Sequence, residues 1–350
     1  MVHFLICSLV LWCYTARARI WNNTATGSII FEEAVSLPNL RPNAGNPPPG
    51  VTQAQLLANL EDVHVQRLAY MDQAGVDYMV LSCASPCVQG VSDPVEAETL
   101  ATGANNDLAA LISNNTLRFG AFAALAMHNA TAAGIELRRA VTQLGFLGAL
   151  VNDYQQSGAD NGKTYLPDPQ YDAFWSVVEE LDVPVYFHPR SAIAQVIALD
   201  YFHSTWIEGA PHQFAVMLSN HIVGLCANGV FDRFPKLKVI VGHLGERIPS
   251  DFWRIDEMLA RKVGTGMPMN KTFSSYWKTN IYETTSGNFA TDLLDFHTSQ
   301  IGAGQILYSV DYPFVMMEQG QEWVEGLQMG PLEKWNFIKG NAIQLLGLDR

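Results

Sequence analysis

The chain has 350 residues, of which 48% are hydrophobic and only 16% are charged. A composition this apolar, without a long biased tract, excludes a disordered or fibrous protein, and the length suits two ordinary domains or one large α/β barrel. The formal net charge of −13 repels phosphate backbones, so we expect no nucleic-acid partner.

The first eighteen residues have the features of a secretory signal peptide. The apolar run from Phe4 to Tyr14 is too short to span a bilayer, and Ala16-Arg17-Ala18 has the spacing of a cleavage site. The usual positive charge before the run is missing, so a cytoplasmic location is the alternative. Residues 1–18 are therefore predicted to be a signal and 19–350 a single domain without a membrane span. Four glycosylation sequons fit this route, at Asn22, Asn114, Asn129 and Asn270.

Cysteine usage predicts no disulfide framework. Cleavage of the signal would leave Cys83, Cys87 and Cys226, an odd number without the C-x-x-C pair of a zinc site. We expect buried or free thiols, with the hydrophobic core stabilising the fold.

Short β-rich runs recur along the chain, with helical patterns between them. Most are continuous apolar runs, which is typical of strands covered on both faces. The eight predicted strands are Ser28–Ala34, Val76–Cys83, Arg118–Leu125, Phe146–Asn152, Val183–Pro189, Leu237–His243, Ile281–Gly287 and Ile306–Pro313. The predicted helices are Ala58–Gly75, Ala130–Gly145, Tyr171–Leu181, Phe214–Phe231, Asp251–Val263, Thr291–Ile301, Glu318–Met329 and Leu332–Leu346. This alternation favours one (β/α)₈ TIM-type barrel with extra C-terminal helices over an open doubly wound sheet.

Polar side chains stand at the ends of several predicted strands. Strand one carries Glu32, strand four ends at Asn152, strand five at His188, strand six at His243 and strand eight near Asp311. In a barrel of this type the carboxyl ends of the strands form the active-site face. Imidazole and carboxylate groups that meet there are suitable ligands for a divalent metal.

Each of these residues also has an ordinary structural interpretation. A single histidine such as His188 in an apolar strand is usually a hydrogen-bonded core residue, and Asp311 could cap a turn. Buried carboxylates and imidazoles at one barrel end compensate one another better through a metal than separately, so the set favours a metal site. Structural or surface roles are expected for His64, His203, His212, His221 and His297.

Four motifs and two longer stretches carry a resemblance to a known family. They are Phe31-Glu32-Glu33-Ala34, Gly148-Ala149-Leu150-Val151-Asn152-Asp153, Phe187-His188-Pro189-Arg190, Asn228-Gly229-Val230-Phe231-Asp232-Arg233, Val241-Gly242-His243-Leu244-Gly245-Glu246 and Ser309-Val310-Asp311-Tyr312-Pro313-Phe314. Over about 29–348 the chain resembles the metal-dependent, nonoxidative decarboxylases of the amidohydrolase superfamily. Within them it is similar to the 2,3-dihydroxybenzoate and γ-resorcylate decarboxylases.

The resemblance implies a ligand set of Glu32, His188 and Asp311 for one divalent ion, Zn²⁺, Mn²⁺ or Mg²⁺, and no organic cofactor. Many relatives have a further ligand two positions after the first, where this chain has Ala34. That departure matches the dihydroxybenzoate-type members. Two carboxylates and one imidazole leave room for water and a chelating substrate.

The implied reaction is decarboxylation of an ortho-hydroxylated benzoic acid of the dihydroxybenzoate, orsellinate or methylsalicylate type. Asp311 would protonate the ring carbon that carries the carboxylate, while His243 with Glu246 would relay protons. Substrate-contacting candidates are Phe314, Phe214 and Asn152. The family also implies a homo-oligomer, a dimer or tetramer, and a secreted member would fit secondary metabolism or extracellular aromatic degradation.

Two other functions stay open. A mononuclear hydrolase of an amide or lactone would use the same ligands, whereas a binuclear one needs a lysine at the end of strand four, and no lysine follows Asn152 until Lys163. A catalytically inactive secreted binding protein would be expected to have lost the ligand set, which is intact here.

Overall fold

The computed structural model describes residues 19–40 and 45–349, so the predicted signal peptide lies outside the described residues. Within these ranges the strands are β1 (Ser28–Val35), β2 (Val76–Cys83), β3 (Phe119–Ala121), β4 (Ala149–Asn152), β5 (Gln155–Ser157), β6 (Gly162–Thr164), β7 (Pro184–His188), β8 (Lys238–Val241), β9 (Ile281–Thr284) and β10 (Ile306–Leu307).

Eight of these strands run parallel around a ring. Strands β1, β2 and β3 pair in that order, and β4, β7, β8, β9 and β10 form a second parallel group. A parallel bridge between Ala123 and Ala149 joins the two groups on one side. On the other side the Ala34 amide donates to the Tyr312 carbonyl at 2.9 Å. The predicted parallel barrel is therefore confirmed, and β5 and β6 form an antiparallel hairpin outside it.

Helices cover the outside of the ring, and none in the described part of the chain is long and apolar enough to cross a bilayer. They are α1 (Gln53–Glu61), α2 (Gln66–Gln73), α3 (Pro94–Ile112), α4 (Ala130–Gln143), α5 (Asp172–Leu181), α6 (Ala194–Val196), α7 (Gln213–Ala227), α8 (Val230–Arg233), α9 (Gly242–Gly245), α10 (Phe252–Ala260), α11 (Phe273–Trp277), α12 (Thr291–Ile301), α13 (Met317–Gly326), α14 (Pro331–Trp335) and α15 (Asn341–Leu346). Single 3₁₀ turns span Cys87–Gly90, Pro169–Tyr171, Thr205–Ile207, Ile248–Asp251 and Ala303–Gln305, and π-helical turns span Ile197–Tyr201 and Asn336–Gly340.

The helix predicted over Ala58–Gly75 is in fact two helices, α1 and α2. They are separated at Asp62, whose side chain accepts hydrogen bonds from the amides of Val65, at 3.2 Å, and Arg67, at 2.8 Å. The side chain of aspartate often accepts hydrogen bonds from nearby backbone amides, and these bonds compete with the hydrogen bonds of a continuous helix.

The elements that were not predicted include the long helix α3 and the β5–β6 hairpin. Helix α3 begins after Asp93, whose side chain caps the Glu96 amide, and half of its buried residues are alanines. An alanine-rich helix has little contrast between its faces, so hydrophobic periodicity does not reveal it.

Side chains of the barrel strands alternate between two apolar layers. In β2, Tyr78 and Val80 point into the barrel together with Phe31, Phe122 and other inward-facing residues. Met79 and Leu81 point outward and belong to the layer under the helices. This alternation sets which residues at the strand ends face the barrel mouth, the opening at the carboxyl ends of the strands.

The opposite end of the barrel is closed by a buried ion pair. Lys339 Nζ lies 2.5 Å from Asp77 Oδ2, and both side chains are buried. Thr24, in the segment before β1, donates to Asp77 through its amide at 2.8 Å and through its hydroxyl at 2.9 Å. The pair therefore fixes the incoming chain, β2 and the C-terminal helices together.

Replacement of Lys339 by Met should lower the free energy of unfolding by about 3–5 kcal/mol, because the Asp77 carboxylate would stay buried without its cation. Denaturant unfolding measures this loss. Arg138→Met, which breaks the exposed pair with Glu180, is the matched control and should have a much smaller effect. Equal losses in the two variants would contradict the assignment.

Candidate active site

Side chains from four strand ends converge at the barrel mouth. Glu32 lies in β1, His188 ends β7, His243 follows β8 and Asp311 follows β10. His188 Nε2 and His243 Nε2 lie 3.4 and 3.5 Å from Glu32 Oε1, and Asp311 Oδ2 lies 3.8 Å from His243 Nε2. The ligand atoms of Glu32, His188 and His243 are all within 4.8 Å of one another. The structure thus brings the predicted residues together, and His243 rather than Asp311 completes the tightest group.

One carboxylate oxygen of Glu32 is held by hydroxyl groups, and the other has no partner. Tyr186 donates a short hydrogen bond to Oε2, and Thr284 donates to the same atom at 3.3 Å. Burial raises the pKa of Tyr186 well above its usual range, and the adjacent carboxylate acts in the same direction. Glu32 is 2% exposed, yet Oε1 accepts no hydrogen bond. A buried unpaired carboxylate oxygen that faces two imidazoles fits a cation between them.

His243 is presented by a left-handed turn. It and the four residues that follow, Leu244, Gly245, Glu246 and Arg247, all have positive φ angles between 49° and 66°. Each non-glycine residue costs about 1–2 kcal/mol in this conformation, and such strain is concentrated at functional sites. The turn brings His243 Nδ1 within 2.6 Å of Glu246 Oε1, which leaves Nε2 directed at Glu32 and Asp311. The predicted contact between His243 and Glu246 is therefore present.

Protonation of this group is set by burial and by its own carboxylates. Burial opposes the charged form of His243, but the carboxylates of Glu32 and Glu246 outweigh it and raise the pKa of His243 well above its usual range. Burial raises the pKa of Asp311 to about 7, and the charge of Glu32 adds to the effect. Burial lowers the pKa of His188. Without a metal, these effects favour the protonated form of His243.

Glu33 positions the segment that carries Asp311. Its carboxylate accepts from the Ser309 hydroxyl at 2.8 Å and from the amides of Val310 and Tyr312 at 3.1 and 2.7 Å. These bonds replace sheet pairing, which explains why β10 is shorter than the strand predicted over 306–313. The sequence showed adjacent glutamates at this strand end, but not that Glu33 accepts hydrogen bonds from the segment that carries Asp311.

Two neighbouring cavities meet at Asp311. The inner cavity is bounded by Glu32, His188 and Asp311 on one side, and Phe314 lies in its wall. The outer cavity is bounded by His243 and Glu246, and Phe214 lies in its wall. Both predicted ring-contacting aromatics thus border the site.

Asn152 occupies a different position from the two aromatics. It is 1% exposed, and its side-chain amide donates to the Pro86 carbonyl at 3.1 Å. It does not belong to the described residues that line either cavity. Its contact with substrate stays a prediction. The hydrogen bond to Pro86 ties Asn152 to the loop after β2.

That loop contains a disulfide, so the expectation of buried or free thiols is wrong for two of the three cysteines. Cys83 and Cys87 are bonded, with Cα atoms 5.8 Å apart, and Cys83 borders the inner cavity. Spacing alone did not reveal the pair, because the β2 end must first turn back on itself. Cys226 is a buried free thiol, as expected.

Comparison with known proteins shows which family the chain is similar to. The amidohydrolase family profile matches residues 57–348. A γ-resorcylate decarboxylase of Rhizobium sp. (strain MTP-10005) is 37% identical over 324 residues, which cover 92% of this chain and 99% of that protein.

Solved structures agree with the sequence comparison. A 2,6-dihydroxybenzoate decarboxylase complexed with 2,6-dihydroxybenzoate superposes with a TM-score of 0.87 at 36% identity, covering 93% of this chain and 99% of that one. A dihydroxybenzoic acid decarboxylase from Polaromonas sp. JS666, with bound manganese and 2-nitroresorcinol, has a TM-score of 0.86 at 35% identity, covering 93% and 98%.

Metal content tests the donor group directly. Protein loaded with Mn²⁺ and dialysed should retain about one ion per chain, since the described residues offer one group of converging donors. His188→Ala should lower the affinity by more than about 100-fold, because it removes a donor outright. Elemental analysis measures both values.

The exposed His203 provides the control, since His203→Ala should leave the metal content unchanged. Two ions per chain in the unaltered protein, or full retention by His188→Ala, would contradict this assignment.

Proposed function

The chain belongs to the amidohydrolase family, and we propose that it is a metal-dependent carboxy-lyase that converts an ortho-hydroxylated benzoic acid to a phenol and CO₂. The main support for this proposal is that Glu32, His188, His243 and Asp311 converge beside a cavity whose wall contains Phe314. Relatives that match this chain over most of its length are decarboxylases of dihydroxybenzoates.

We assign Glu32, His188 and Asp311 as the residues that would hold the divalent ion. The unpaired Oε1 of Glu32 and the mixed oxygen and nitrogen donors fit Mn²⁺, Zn²⁺ or Mg²⁺, and manganese, present in a neighbour, is the first to test. When bound, the ion would supply Lewis acidity toward the carboxylate and the ortho phenolic oxygen of the substrate. His243 is assigned to proton transfer, because Glu246 holds its Nδ1 and its Nε2 lies 3.8 Å from Asp311 Oδ2.

Asp311 is placed to act as the acid. Its carboxyl group borders both cavities, where it can give a proton to the ring carbon that bears the carboxylate. The bond from that carbon to the carboxylate then breaks, its electron pair returns to the ring, and CO₂ leaves. His243 Nε2, 3.8 Å from Asp311 Oδ2, can return a proton to Asp311. One proton enters and one CO₂ leaves per turnover.

Packing around the site favours a flat aromatic substrate. Phe314 borders the inner cavity and Phe214 the outer one, and faces or edges of such rings pack well against a benzoate. The hydrolase alternative has less support, because the described residues contain one group of converging donors and the matched relatives are decarboxylases.

We also propose that the chain forms a homo-oligomer, a dimer or tetramer. Large apolar side chains are exposed in the segment after β7 and on α10; Phe202, Trp206 and Trp253 are 74%, 86% and 77% exposed. Exposed aromatics of this size are typical of protein contact surfaces.

Secretion is a further proposal, with a cytoplasmic location as the alternative. The Cys83–Cys87 disulfide supports an oxidising compartment, and the asparagines of all four sequons are exposed.

Protein isolated from its native source should begin near Arg19 and carry glycan on some sequons. Intact mass spectrometry checks this, and an unmodified chain that retains Met1 would contradict secretion while leaving the enzymatic proposal unaffected.

Asp311→Asn should reduce turnover by about 100-fold or more, because asparagine has a similar size but no transferable proton. Product release is measured together with metal content, so that loss of the ion is distinguished from loss of the acid. In D₂O the unaltered enzyme should place deuterium at the carbon that lost CO₂.

Asp292→Asn, an exposed substitution on α12, is the control and should retain full turnover. Full activity of Asp311→Asn with normal metal content would exclude Asp311 as the acid.

A further inference from the structure

Ser82 places an unpaired hydroxyl group in the wall of the inner cavity. The residue is 3% exposed, it borders the cavity that also contains Glu32, His188 and Asp311, and its Oγ has no hydrogen-bond partner. Ser82 has no part in the mechanism described above. Buried hydroxyl groups usually have a hydrogen-bond partner, and the residue that carries this unpaired one borders the cavity.

The strand pattern explains why Ser82 faces the substrate. In β2, Tyr78 and Val80 point into the barrel, so Ser82 is the next inward-facing residue toward the mouth. Its register partner on β1 is Ala34, two residues after Glu32, and Ala34 borders the same cavity. The hydroxyl therefore stands one strand away from the metal-binding carboxylate, above a small side chain that leaves space.

The residues around Ser82 leave its hydroxyl group available to hydrogen-bond a polar group of the substrate. Ala84, Leu150 and Phe314 supply apolar wall, and the Ser85 hydroxyl is already donated to the Pro189 carbonyl at 3.2 Å. Among the described residues that line this side of the cavity, Ser82 offers an unpaired polar group to a ring anchored at the metal side by its carboxylate and ortho oxygen. A second ring hydroxyl can both donate to and accept from Ser82 Oγ.

We propose that Ser82 is a specificity-determining residue that hydrogen-bonds a second ring hydroxyl, so that the site prefers dihydroxylated over monohydroxylated ortho-hydroxybenzoates. This inference rests on the proposed decarboxylase function. A site built to bond a substrate hydroxyl discriminates against the analogue that lacks it, because its own polar group is then left buried and unpaired.

The test compares salicylate with the dihydroxybenzoates that keep one ortho hydroxyl, using the manganese-loaded protein. Specificity is measured as kcat/KM or, for an acid that binds without reacting, as the inhibition constant. The unaltered enzyme should prefer at least one dihydroxy acid. Ser82→Ala should lower that preference about 10-fold, the loss expected for one neutral hydrogen bond, and change salicylate less than about 2-fold.

Thermal unfolding of the ligand-free Ser82→Ala variant should be unchanged or slightly higher, because the substitution removes an unpaired polar atom. Ser85→Ala is the matched control, and it should change both classes of acid by the same factor. Equal changes for salicylate and the dihydroxy acids in Ser82→Ala, or no change, would overturn the specificity role. If the unaltered enzyme decarboxylates none of these acids, the proposed function fails instead.

Discussion

The architecture of the site depends on the need to balance buried negative charge at the barrel mouth. Glu32 and Glu246 are buried and Asp311 is half-buried, and carboxylates this close together would be costly there without a positive partner. Without a metal, the proton on His243 supplies part of that charge, and its pKa is raised accordingly. A divalent cation held by Glu32, His188 and Asp311 would meet the same requirement, which is why these donors fit a metal.

The rest of the barrel holds this group in place. Glu33 ties the Asp311 segment to β1 through two amides and a hydroxyl, and the left-handed turn after β8 directs His243 at Glu32. Gly242 is part of this arrangement, because a Cβ at that position would lie 2.5 Å from Glu32 Oε2. The ring of parallel strands places these segments side by side, so residues distant in sequence meet without a long mobile loop.

Sequence patterns predicted the barrel and the main site residues because both follow from simple rules. Continuous apolar runs predict covered parallel strands, and polar residues just after such runs, His188 among them, must lie at the same end of the barrel. Finer placement depends on local geometry that periodicity does not encode. A register shift in β1 decides that Glu32 faces the mouth while Glu33 turns to its neighbour, and a turn brings Cys83 to Cys87. The unpaired hydroxyl of Ser82 became apparent only when its burial and its cavity were known.

The most direct test of the account measures CO₂ and phenol formation from two isomeric acids. Manganese-loaded protein is incubated with salicylate or a dihydroxybenzoate that has an ortho hydroxyl, and in parallel with 4-hydroxybenzoate. We expect equimolar CO₂ and phenol from an ortho-hydroxy acid and none from the para isomer, which cannot present its carboxylate and phenolic oxygen to one ion. Equal turnover of the ortho and para isomers, or cleavage of an amide or lactone without CO₂, would contradict it.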